Sequence, residues 1–72
     1  MSEIIFEVHP DEIDGGFTAA ALGYNIFTQG ESLEELRLMV REAVQCHFFD
    51  MPITERPRVI RLHLVRDEVL AA

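Results

Sequence analysis

No lysine occurs anywhere in this chain, and no arginine precedes position 37. Residues 1–36 therefore carry eight acids and no Lys or Arg: Glu3, Glu7, Asp11, Glu12, Asp14, Glu31, Glu34 and Glu35. From Arg37 onward five acids meet six arginines, so 5 − 6 leaves that half at about +1 and the whole chain at −7. An acidic half either keeps the surface solvated or favours a basic partner, and it repels nucleic acid. Cysteine is nearly missing as well. Cys46 stands alone, which excludes an intramolecular disulfide. His9, Cys46, His47 and His63 are scattered, without the paired spacing of a zinc site. No apolar run approaches the roughly 20 residues that a bilayer-crossing helix needs. Met1-Ser2-Glu3 lacks the basic start of an export signal. These absences point to a cytoplasmic protein with no membrane attachment.

What is present is enough apolar residue for a core. Of 72 residues, 49% are hydrophobic, and the mean hydropathy of +0.11 argues against disorder. The chain reads as a single domain over 1–72. A domain this short buries only about 60% of its unfolded surface. Without a disulfide or metal to staple it, a homodimer or higher homo-oligomer is expected to complete the burial.

Residues 4–9 alternate with a period of two. Ile4, Phe6 and Val8 share one face; Ile5, Glu7 and His9 share the other. Pro10 is expected to end this strand, since it cannot donate to a ladder. The connection over 10–16 is rich in turn formers. Gly15 and Gly16 supply the positive φ that a hairpin return needs. Residues 17–22 follow as a strand, although its alanines are better helix formers. Gly23-Tyr24-Asn25 is a turn, residues 26–29 a short third strand, and Gly30 a break.

Ser32 then opens a helix running to residue 49. Ser32-Leu33-Glu34-Glu35 has the form of a capping box, in which hydroxyl and carboxylate satisfy each other's backbone N–H groups. Glu34 and Glu35 suit the positive end of the helix dipole. Leu33, Leu36, Val40, Ala43, Val44 and His47 recur at helical spacing as the core face. Leu38 and Phe49 fall nearer the wet side, as scattered exposed apolar residues or as a partner contact. A proline-marked loop covers 50–57. Residues 58–65 form the last strand, with Ile60, Leu62 and Leu64 on one face and Val59, Arg61, His63 and Val65 on the other. Residues 66–72 read as a short tail with one helical turn.

The order is β-β-β-α-β: an α+β domain, an antiparallel-rich sheet with one helix packed on one face. Its other face has no helix to cover it, and a symmetric partner copy is an economical cover.

Catalytic chemistry is hard to find. The histidines sit on different elements, with His9 beside Glu7 as the nearest acid–base pair. Cys46 and His47 point about 100° apart on a helix and do not face each other. Asp11, Glu12 and Asp14 cluster in one loop but lack the regular alternation of a calcium loop. Gly15-Gly16 is no phosphate loop, because no helix begins there. No catalytic, cofactor-binding or metal-binding residue is assigned, and the protein is read as a non-enzyme.

Two motifs carry a resemblance. Asp14-Gly15-Gly16-Phe17, then Thr28-Gln29-Gly30 with Glu31-Ser32 and Leu33-Glu34-Glu35, resemble the HicB-like family in order and separation. These are the antitoxins of HicA–HicB modules and their solitary relatives. The match spans about half the chain. The resemblance implies a partial RNase-H-like fold without RNase H chemistry. It also implies that a small basic mRNA interferase is bound and neutralised. The alternative it leaves open is a stand-alone oligomeric scaffold or regulator with no toxin partner. Two features depart from the family pattern. Leu22-Gly23-Tyr24-Asn25-Ile26 lacks the usual prolines of the middle loop. No DNA-binding segment follows the last strand, so direct DNA binding is not expected. The residues expected to meet a partner are Asp11, Glu12, Asp14, Glu34, Leu38 and Phe49.

Overall fold

A computed structural model describes residues 3–66 and 70–72. The chain runs β1 (Glu3–Pro10), β2 (Phe17–Ala21), β3 (Phe27–Gly30), α1 (Leu33–His47), a 3₁₀ turn at Ile53–Glu55, and β4 (Val59–Leu64). This is the expected α+β order. The four strands form one mixed sheet in the order β3-β2-β1-β4. β1 pairs antiparallel with β2 and parallel with β4, and β2 pairs antiparallel with β3.

The alternation in β1 sets the layers. Ile4, Phe6 and Val8 are buried under the helix, while Glu3 and His9 on the reverse face are exposed and Ile5 and Glu7 are half-buried. The register carries the same face outward: Val8 lies opposite Ala19 on one side and Leu64 on the other. α1 answers with Leu36, Val40, Val44 and Phe48, spaced by four, and these close the core with Ile26. Helical spacing alone places His47 on that face, yet it is exposed. Stepping four residues from Val44 reaches Phe48, and the apolar ring takes the core. The helix accordingly ends at His47 rather than at 49, with Phe48 as its cap residue. His47 packs edge-on against Tyr24 and Phe48, with ring centroids 5.9 and 4.9 Å away.

Gly30 also differs from expectation. It does not break β3 but ends it, buried and paired with Phe17. A Cβ there would lie 2.7 Å from the Leu36 amide nitrogen and 2.9 Å from its Cα. Its missing side chain lets the helix backbone lie directly on the strand. Pro10 likewise is the last residue of β1, opposite Phe17. Of the tail over 66–72, where one helical turn is expected, residues 67–69 lie outside the described residues, and 66 and 70–72 carry no helix.

Ser32 caps α1 in an extended conformation, its hydroxyl accepting from the Glu35 N–H at 3.1 Å. Ser32→Ala is expected to cost about 0.5–2 kcal/mol, and Ser32→Asp to retain most of it. Urea denaturation of the three proteins measures this directly.

The sheet's reverse face carries no helix among the described residues. Across it lie Phe27, Ala20, Glu7 and His63 in one row, with Ile5 beside Arg61 in the next. Glu7 and His9 pair at 2.9 Å, and Glu3 pairs with Arg61. Phe27 and Leu22 are exposed.

Candidate functional site

The loop between β1 and β2 is held by its own first acid. Oδ1 of Asp11 accepts from the N–H groups of Ile13 and Asp14, both at 3.1 Å. The Asp11 N–H in turn donates to the Gly16 carbonyl at 2.9 Å. Gly15 and Gly16 both take φ of 78°, the left-handed region that side chains with a Cβ resist. The turn delivers Phe17 opposite Gly30. That pairing brings the Asp14-Gly15-Gly16-Phe17 motif against the Gln29-Gly30-Glu31 motif. The contact is backbone to backbone, since a Cβ on Gly16 would run into the Gly30 carbonyl oxygen.

Where the two motifs meet there is an open groove of about 410 Å³. Four carboxylates line it: Asp11 and Asp14 from the loop, Glu31 just after β3, and Glu35 from the first turn of α1. Phe17 and Met39 supply apolar lining. No Lys, Arg or His lines it, nor any Ser or Cys. Such a site attracts a cationic side chain, and its apolar lining suits that side chain's alkyl stem. It offers no hydroxyl or thiol nucleophile. Among the described residues no cluster of three or more His, Cys, Asp or Glu is arranged to hold a metal ion.

The expected partner residues do not all converge here. Asp11 and Asp14 do. Glu12 lies in an adjoining groove that shares Asp11 and is lined by His9, Ile13, Thr18 and Val65. Glu34 is exposed on α1 and does not line the acidic groove. Leu38 and Phe49, 57% and 75% exposed, stand outside it too. Glu31 and Glu35 are the groove residues that sequence reasoning misses. The signal for Glu35 is its helical spacing: 35 and 39 are four residues apart, which stacks Glu35 and Met39 on one side of α1. Glu34 is rotated about 100° away on an α-helix.

Cys46 is exposed and free. No helix among the described residues is long and apolar enough to cross a membrane.

Two relatives are similar to this chain along most of its length. A UPF0150 protein of Archaeoglobus fulgidus is 54% identical over 56 residues, which cover 78% of this chain and 77% of that protein. A UPF0150 protein of Thermotoga maritima is 38% identical over 71 residues, covering 99% and 94%. No family model matches the sequence. No solved structure matches it, so the RNase-H-like likeness has no neighbour behind it.

Proposed function

The chain belongs to the UPF0150 family, and from that premise we propose that it is a HicB-like, non-catalytic binding protein of the antitoxin type. Its acidic groove takes a small basic protein, as the paired antitoxins of the resembled family do. One observation carries this reading. The two motifs that make the resemblance are apart in sequence and join in space, and their Asp14, Glu31 and Glu35 gather with Asp11 in one groove that no cation lines. An mRNA interferase presents Lys and Arg to phosphate, and carboxylates are the chemistry that blocks such a surface. Charge complementarity of this kind chiefly sets on-rate and specificity. The lone exposed thiol at Cys46 suits a reducing compartment, and we read the protein as cytoplasmic.

The first test is a pull-down from source-cell lysate with the tagged chain, at low and at high salt. A small basic protein retained at low salt and released at high salt supports the reading, and that protein goes directly into an RNA-cleavage assay. Asp14→Arg and Glu31→Arg are then expected to weaken the complex by about tenfold or more each. Glu12→Arg and Glu34→Arg, outside the groove, are expected to change it by less than about threefold, as rim charges do. Equal losses at all four sites, measured by calorimetry, would move the contact off the groove.

The second reading, a stand-alone oligomeric scaffold, has its own support in the uncovered reverse face of the sheet. There Phe27 and Leu22 are exposed beside Ala20 and Ile5. Self-association with no basic partner at either salt would favour it.

A further inference from the structure

On the β4 side of α1 lies a second groove, of about 370 Å³, and its character is the reverse of the first. Arg37 and Arg41 of the helix and Arg58 before β4 line it, over an apolar floor of Val40, Ile60 and Leu62. Half of the chain's six arginines therefore gather in one place. None of the three has an ion pair or hydrogen-bond partner among the described residues. Arg56 and Arg61, by contrast, are engaged with backbone carbonyls and with Glu3. Two like charges at i and i+4 of a helix repel, and Arg58 adds a third. An anionic occupant relieves that mutual repulsion.

We infer that this arginine groove receives the acidic groove of a second copy of the chain. Three observations select that occupant. The floor is apolar, with Val40 buried and Ile60 and Leu62 only half-buried, which suits a protein surface. The net charge of −7 repels a polyanion such as RNA. The complementary surface is carried on the chain itself, as a groove of similar size lined by Asp11, Asp14, Glu31 and Glu35. The two grooves flank α1 on opposite sides, one toward β3 and one toward β4, so the contact is heterologous and copies join head to tail. The proposal needs no toxin and stands apart from the basic-partner reading. Both draw on the same carboxylates, so a basic partner and a second copy exclude each other there.

The test is sedimentation velocity on the full chain across protein concentration, at low and high ionic strength. Wild type is expected to self-associate with rising concentration at low salt and to dissociate toward monomer at high salt. The charge-reversed variants R37E/R41E and D14R/E31R are each expected to associate about tenfold or more weakly. All four residues are exposed, and far-UV circular dichroism checks that both variants remain folded. The decisive step is to mix the two variants. The intact arginine groove of one variant then meets the intact acidic groove of the other, reversed groove meets reversed groove in turn, and the mixture is expected to recover self-association as mixed oligomers. A wild type that stays monomeric at low salt overturns the proposal. So does association that R37E/R41E leaves unchanged, or a mixture that recovers nothing. Binding of a single-stranded RNA oligonucleotide by a monomeric wild type, abolished in R37E/R41E, would reassign the groove to nucleic acid.

Discussion

Phe6→Ala is expected to leave the isolated domain without a cooperative fold at 25 °C. Phe6 is fully buried on β1, one of the two inner strands of the sheet. Its register partners are Ala21 on β2 and Leu62 on β4, so it spans the middle of the sheet. It belongs to the same buried cluster as Leu36, Val40 and Val44 of α1. Truncating a buried Phe to Ala costs about 3–5 kcal/mol, from lost transfer energy and the cavity left behind. A single core in a chain below about 70–80 residues rarely supplies more than about 3–5 kcal/mol in total. With 72 residues and no disulfide, the loss matches the whole reserve. Urea denaturation of wild type fixes that reserve, and the amide spectrum of the variant reports collapse. A variant that melts cooperatively with less than about 2 kcal/mol lost would mean that the core is supported from outside the monomer.

Much of this fold is legible in the order of the residues alone. The contrast between Ile4, Phe6, Val8 and Glu7, His9 is sharp, so the period of two needs no arbitration, and those three apolar residues are buried. Ser32 announces the helix start and caps it. Gly15 and Gly16 announce a turn and take positive φ. Where expectation and fold part, the cause is shared: packing decides between options that spacing leaves equal. From Val44, a step of three reaches His47 and a step of four reaches Phe48. Both satisfy helical spacing, and the larger apolar gain selects Phe48. Gly30 looks like a breaker because it has no side chain. In the fold that same lack allows the strand end and the helix to touch. The acidic groove is half visible in the sequence. Asp11 and Asp14 lie together in one loop, but Glu31 and Glu35 reach them only through the pairing of Phe17 with Gly30. Strand order is likewise not written locally. Nothing within residues 58–65 states that they lie parallel to the first strand.

Gly16→Ala is expected to cost far more than Gly15→Ala, although the two residues are neighbours with the same φ of 78°. Both substitutions put a Cβ into the left-handed region, at about 1–2 kcal/mol. Gly15 has nothing within 4 Å of where its Cβ would sit, so its loss ends there. At Gly16 the new carbon meets the Gly30 carbonyl oxygen and comes to 3.0 Å from the Glu31 Cα. These are backbone atoms and cannot swing aside. Gly30 is itself pressed against Leu36, so the strain passes into the helix. Overpacking of this kind adds about 1–3 kcal/mol. The total for Gly16→Ala reaches about 2–5 kcal/mol, on the scale of the domain's whole stability. Urea denaturation of the two variants separates the terms, because their difference isolates the close approach from the φ cost. Equal losses would mean that the two motifs do not touch as described. The consequence for the site follows from the same contact. The folded fraction of Gly15→Ala keeps Asp14 across from Glu31 and should retain a basic partner at wild-type affinity. Gly16→Ala forces the loop away from the strand end and opens the groove between its two pairs of carboxylates. If the proposed partner binds in this groove, the glycine that matters is therefore the one with no room for a side chain, because it sets how closely the charged residues on either side of it can stand.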